Sequence, residues 1–183
     1  LQLVDETSID LGAKIARATK AAMGENYPDS AVDDVLFWME SKGRLGRKAK
    51  AGFFSYDAQG KRLGYWEGLS AQYPLAAQQP DLIDVQHRLI FVQSLEAVRA
   101  LEEGLLMDIR EGDVGAILGW GFAPWSGGPF SWLDILGSPY AAERCDQLHH
   151  AYGDRFACPD LLRSMASKGQ SFYGQAKKAQ SAA

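Results

Sequence analysis

The sequence predicts an all-α protein: a duplicated helical domain interrupted by one short loop and hairpin insertion. Three observations carry this. Helix start and stop residues recur along the chain. Between them, apolar residues return at steps of three and four. Two stretches also repeat one another in order.

The elements follow in sequence. Thr7, three residues before Asp10, is placed to cap a helix running to about Met23 and stopping at Gly24. Ser30, three before Asp33, is placed to cap a second, with Val32, Val35, Leu36 and Met39 inward and Gly43 at its end. A short side-chain oxygen at the cap satisfies a free N–H of the first turn. From Arg44 to Tyr73 the helical period is lost. Phe53 to Tyr56, followed by Asp57-Ala58-Gln59-Gly60, reads as a short strand and a turn. Pro74 to Pro80 reads as a linker.

A long helix is then expected from Pro80 and Asp81, with Leu82, Val85, Leu89, Val92, Leu95, Val98, Leu101 and Leu105 on one face. Asp108 caps the next helix, which is expected to end at Gly119. Ser138 with Pro139 opens another, closed at Gly153, and Pro159 opens the last, closed at Gly169. Proline suits a first turn because its missing N–H has no intrahelical partner there.

The repeat pairs Leu3-Val4-Asp5 with Trp132-Leu133-Asp134 and Met23-Gly24-Glu25 with Tyr152-Gly153-Asp154 at one common spacing. Met39-Glu40-Ser41-Lys42-Gly43 pairs with Met165-Ala166-Ser167-Lys168-Gly169 after a short deletion in the second copy. Such a duplication resembles a homodimer built within one chain.

Composition excludes several classes. A net charge of −4 gives no electrostatic reason to expect nucleic acid or an anionic membrane surface. No apolar run approaches the roughly 20 residues that span a bilayer. Cys145 and Cys158 make no disulfide framework, which fits a reducing, cytoplasmic setting. The abrupt start at Leu1, without an initiator Met or leader, is the expectation for the inside of a longer protein.

Two stretches carry a family resemblance. One is Gly119-Trp120-Gly121-Phe122-Ala123-Pro124-Trp125-Ser126-Gly127-Gly128-Pro129, followed by Trp132-Leu133-Asp134. The other is Lys42-Gly43-Arg44-Leu45-Gly46-Arg47-Lys48-Ala49-Lys50-Ala51-Gly52-Phe53-Phe54. With Gln86-His87-Arg88-Leu89 and the Ser94 to Gly104 helix, the chain resembles the C-terminal domain of 3-hydroxyacyl-CoA dehydrogenases, in the tandem form of the multifunctional α-subunit of fatty-acid oxidation complexes. The resemblance implies a helical fold of the 6-phosphogluconate dehydrogenase C-terminal-like type. Residues 1–73 would be a partial first copy lacking its first helices, together with the loop region. Residues 74–174 would be a complete second copy, and 175–183 a disordered tail.

It also implies a parent enzyme that passes a hydride from a (3S)-3-hydroxyacyl-CoA to NAD and carries enoyl-CoA hydratase as well. Acyl-CoA would be its substrate and a thiolase subunit its partner. The family's His–Glu pair and its Asn would lie upstream of Leu1, and His87 stands where the second copy would repeat the Asn. This chain would then hold no catalytic, NAD-binding or metal-binding residue, and would be inactive alone. The incomplete first copy would leave an apolar face open to self-association. The family usually has glycine where Lys50 stands, so a turn entered with positive φ is expected to be reshaped or strained. The rival reading is a non-catalytic docking or dimerisation module without a ligand.

Gly119-x-Gly121 follows a helix, not a strand, and Pro124 takes the place of a third glycine, so it is not a dinucleotide loop. Trp120, Phe122 and Trp125 either pack the junction between helices or line an acyl or pantetheine channel. Arg44, Arg47, Lys48 and Lys50 either form a solvated loop or meet the phosphates of CoA. His87 is expected on the polar side of the long helix. His149 and His150 sit at a helix end, and the two cysteines are expected to pack.

Overall fold

The computed structural model describes residues 1–28 and 30–174, so the expected tail 175–183 lies outside the described residues. Nine α-helices and a single two-stranded sheet form among them, and the protein is all-α. The chain divides after Gln79 into two compact units. No helix among the described residues is long and apolar enough to cross a membrane.

The first unit opens with α1 (Gln2–Thr7) and α2 (Ile9–Met23). Thr7 does not cap α2. It is the last residue of α1, and its hydroxyl turns back to the Leu3 carbonyl at 3.0 Å. The junction is Ser8, held at φ 89°, ψ 124°. Gly24 ends α2 with positive φ, and α3 spans Ala31–Ser41. Ala13 and Ala16 are buried, small enough to let α3 approach closely. The inward face of α3 is Val35, Leu36, Trp38 and Met39, packed with Ile9, Phe53 and Phe54. Val32, expected inside, is 66% exposed: it lies on the far side of the first turn.

The insertion is a hairpin of β1 (Phe54–Tyr56) and β2 (Arg62–Tyr65), antiparallel, with Phe54 opposite Tyr65 and a bulge between Ser55 and Tyr56. Its turn is organised by Asp57, whose carboxylate accepts the amides of Gln59 and Lys61 at 3.0 and 2.8 Å. A short helix absent from the sequence expectation, α4 (Glu67–Gln72), follows. Trp66, at its start, stacks on Trp38 at 5.4 Å.

Lys50 keeps the left-handed conformation expected of a glycine, at φ 53°, ψ 19°. A side chain there costs roughly 1 kcal/mol. Lys50→Gly is therefore expected to stabilise the protein by about 0.5–1 kcal/mol, read as a higher urea midpoint, although it forgoes the exposed bond from Lys50 Nζ to the Ala58 carbonyl.

The second unit is built on α5 (Leu82–Glu102), whose Asp81 cap accepts the Asp84 amide at 3.0 Å. Its 21 residues make a rod of roughly 32 Å. The buried face is Phe91, Ser94, Leu95 and Val98. Leu82, Leu89 and Leu105, expected on that face, are exposed. Helix α6 (Ile109–Trp120) is capped by Asp108 as expected, but it ends at Gly121 rather than Gly119. The segment after it contains α7 (Pro129–Leu136), then α8 (Ser138–Tyr152) and α9 (Asp160–Lys168). Phe91, Leu95, Phe130, Leu133, Leu148, Leu162 and Met165 form the core.

Two local geometries recur in the units. Gly137, between α7 and α8, has φ 84°, ψ 133°, close to the conformation of Ser8 between α1 and α2. Asp5 of α1 accepts the consecutive amides of Phe53 and Phe54, and Asp134 of α7 accepts those of Phe172 and Tyr173.

Candidate functional site

The basic loop of the first unit is internally committed. Arg44 donates to the carbonyls of Gly52 and Phe54 at 2.7 and 3.0 Å, and its guanidinium lies 4.3 Å from the centre of the Trp66 ring. Its burial lowers its pKa, with Asp5 acting in the opposite sense. Arg47 pairs with Glu6 at 2.9 Å, Lys48 with Asp10 at 2.8 Å, and Lys50 holds Ala58. Lys48 is the first cause that holds the Asp10 carboxyl down at about 2, followed by the hydroxyl of Ser8. These four side chains brace the loop against α1, α2 and the hairpin.

In the second unit, Trp120, Phe122 and Trp125 do not act together. Phe122 is buried, Trp125 is 74% exposed, and Trp120 borders a groove. Packing therefore describes Phe122 alone. The groove runs between α5 and α6, encloses about 500 Å³ and is almost wholly apolar, with Val92, Ala100, Leu106 and Trp120 among its walls. Gln93 fixes the Trp120 indole by accepting its N–H at 3.1 Å. Glu96 and Glu111 stand at this groove and disfavour an anion there.

A second groove, of about 410 Å³, lies further toward the start of α5. Its apolar floor is Val85, Leu89, Val92 and Phe156, and it adds Arg88, Arg155 and Tyr152. Val92 borders both grooves. Arg88 lies over the Tyr152 ring at 4.5 Å and pairs with Asp84 at 3.4 Å. The sequence does hold a signal for these surfaces: Val85, Leu89 and Val92 belong to the apolar stripe expected on one face of the long helix.

His87 is not on the polar side of α5. It is half-buried, with Phe91, Trp132 and Tyr140 around its ring at 5.6–6.4 Å. Arg144 donates from Nε to His87 Nδ1 at 3.1 Å, so the neutral ring carries its proton on Nε2. The other end of Arg144 pairs with Asp84 at 2.5 Å, and Tyr152 donates to the same carboxylate at 2.7 Å. The Tyr152 bond is the first cause that lowers the pKa of Asp84. Burial first, then Arg144, lowers the pKa of His87 below 6.5, with Asp84 opposing. A histidine whose pKa is depressed on folding stabilises the fold above its unfolded pKa, and this is lost as pH falls through the folded value. Urea midpoints should drop on acidification below about pH 6.5, and His87→Gln should flatten that slope.

Gly121 is the left-handed residue that closes α6, and the single sheet among the described residues is an antiparallel hairpin. These residues therefore do not fit a nucleotide cradle between a parallel strand and a helix. No cluster of three or more metal-ligating side chains occurs among the described residues.

Comparison with known proteins gives a consistent result. No family model matches the chain. It is 39% identical over 176 residues to the fatty acid oxidation complex subunit alpha of Shewanella loihica. To the subunits of the same name from Vibrio vulnificus and Shewanella frigidimarina it is 36% and 37% identical over 177 residues. Each match takes in 94% of this chain and 24% of the relative, so the chain spans about a quarter of the length of the proteins it resembles.

Proposed function

We infer that this chain, homologous to fatty acid oxidation complex alpha subunits, is the helical part of a multifunctional β-oxidation enzyme and supplies one wall of its acyl-CoA site. The observation that carries the reading is the similarity along almost the whole chain. In the whole enzyme this region would stabilise an NAD-dependent (3S)-3-hydroxyacyl-CoA dehydrogenase half, with enoyl-CoA hydratase elsewhere in the chain. NAD would sit on the part of the protein outside this sequence, where its nicotinamide accepts the hydride. Cytoplasmic location and a thiolase partner belong to the same reading.

The two units are proposed as copies of one helical domain of the 6-phosphogluconate dehydrogenase C-terminal-like type. Shared Asp ties and shared backbone at Ser8 and Gly137 support this. On this reading residues 1–73 would hold a partial first copy with the loop region, and residues 74–174 a complete second copy, the boundary between the compact units falling after Gln79.

Recognition would centre on α5. An acyl chain matches the apolar groove beside Trp120, whereas the guanidiniums of Arg88 and Arg155 suit a phosphate-bearing head in the adjoining groove. The basic loop is the weaker candidate, because Arg44, Arg47, Lys48 and Lys50 are each held by direct hydrogen bonds to protein partners, whereas Arg88 makes only a 3.4 Å ion pair with Asp84 beside an apolar floor.

Calorimetric titration with a long-chain 3-ketoacyl-CoA tests this. Saturable binding is expected, reduced about tenfold or more by Leu106→Glu, which sets a charge in the apolar groove. CoA without its acyl chain should bind far more weakly. No binding by the folded chain would overturn the reading in favour of a docking module.

A further inference from the structure

The hairpin of the first unit carries a surface that this function leaves unused. A cleft of about 390 Å³ lies between α1 and the hairpin turn, with Glu6, Arg47, Tyr56, Gln59, Lys61 and Arg62 among its walls. A second hollow, of about 500 Å³, runs along β2 and is bordered by Phe54, Leu63 and Tyr65. Gln2 and Arg62 line both, so the two adjoin.

The two parts differ in chemistry. In the cleft, three cations meet the single carboxylate of Glu6. Arg47 is tied to Glu6 through one terminal nitrogen, Nη1, at 2.9 and 3.1 Å. Lys61 and Arg62 make no ion pair among the described residues. The acids close by are engaged: Asp57 accepts the turn amides of Gln59 and Lys61, and Asp5 accepts the Tyr56 hydroxyl. Along β2 the surface is aromatic. Tyr65 stacks on Phe54 with ring centres 4.5 Å apart, and the Arg62 guanidinium lies 4.8 Å from the centre of the same Phe54 ring. Phe54 is buried whereas Tyr65 is 66% exposed, so the Tyr65 ring presents an open face. An open aromatic face beside unpaired cations suits a planar base joined to phosphate. The base stacks, and the guanidinium and ammonium groups take the phosphate oxygens.

We propose that this face of the hairpin binds a purine nucleoside diphosphate, with the base stacked on Tyr65 and the phosphates held by Lys61, Arg62 and Arg47. Three cations less one carboxylate leave an excess of two positive charges in the cleft, which suits a diphosphate better than a monophosphate. A purine offers Tyr65 the wider π-face. Gln2 and Gln59 add neutral donors and acceptors at the cleft. Every residue invoked belongs to the first unit, so the proposal depends on neither groove of the second.

The test is titration of the folded chain with ADP, without divalent cations, followed by calorimetry and by backbone amide shifts. Saturable binding is expected, with the shifts centred on Lys61 to Tyr65. Inorganic pyrophosphate and adenosine, each lacking part of the ligand, should bind about tenfold more weakly or worse. Tyr65→Ala and Arg62→Gln should each weaken ADP binding about tenfold, and Tyr65→Phe, which keeps the ring, should retain it. The shifts in the unsubstituted chain do not depend on how well those variants fold. Competition with CoA separates two sources of the same chemistry. Displacement of ADP assigns the nucleotide head of a larger cofactor, no displacement assigns a free nucleotide, and either result supports the site. Absence of saturable binding would overturn the proposal, as would shifts confined to other elements, or pyrophosphate binding as tight as that of ADP.

Discussion

Asp113→Ala should be among the most damaging single substitutions in the second unit. Helix α7 begins at Pro129 after Gly128, so it has no side chain of its own to cap its first amides. Asp113, reaching across from α6, does this instead. It accepts the amides of Phe130 and Ser131 at 2.8 and 3.1 Å, and the hydroxyls of Ser131 and Tyr173 at 2.6 and 2.9 Å. The carboxylate is buried, so water cannot replace it. Gly128 is part of the arrangement: at φ 115° a Cβ there would stand 2.5 Å from the Asp113 side chain. Removing the carboxylate leaves several buried donors unpaired at about 1–3 kcal/mol each, so a loss of about 4 kcal/mol is expected. That is a large part of an ordinary domain stability of roughly 5–15 kcal/mol. Hydrogen exchange should show it first at the Phe130 and Ser131 amides. Exchange there as slow as in the unsubstituted protein would refute the capping role.

Asp5→Asn is the counterpart in the first unit. Its buried carboxylate accepts the amides of Phe53 and Phe54 at 2.8 and 3.0 Å and the hydroxyl of Tyr56 at 2.8 Å. Burial first, then the bond to Asp5, pushes the Tyr56 phenol up to about 12. An amide in place of the carboxylate keeps the shape but turns an N–H toward a donor. A loss of about 3 kcal/mol is expected, with β1 and the basic loop released together because Phe53 and Phe54 anchor them. A urea midpoint within error of the parent protein would refute this. So would an unaltered hairpin in amide exchange.

These aspartates show where sequence patterns stop being informative. Asp5 and Asp134 stood out only as parts of a repeat, and Asp113 not at all. Their acceptor role depends on amides 17 to 49 positions away. No local period encodes such a pairing. Helix α7 was missed for the same reason, since its cap comes from another helix. Short α1 and α4 offered too few residues to display a period.

The α5 stripe illustrates a different failure. Leu82 to Leu101 recur mostly at steps of three, and each such step falls about 60° short of a full turn. The stripe therefore winds around the rod, so that Leu95 and Val98 fall on the side opposite Leu82 and Leu89. Phe91, Leu95 and Val98 go inward while Leu82 and Leu89 face outward, which is what leaves the two grooves open.

What the sequence determined by itself was local or compositional: the all-α class, the long-helix start near Asp81, the cap at Asp108, the glycine stops at Gly24, Gly153 and Gly169, and the hairpin turn at Asp57. Each rests on φ, ψ or a hydrogen bond within a few residues, so neighbouring side chains suffice to specify it. Tertiary structure alone decided which apolar residues are buried, that the basic loop is braced by Glu6, Asp10 and the hairpin, and that Trp120 and Phe122 have different surroundings. Those outcomes depend on which surfaces pack together, and packing is a property of the folded unit rather than of any stretch of its chain.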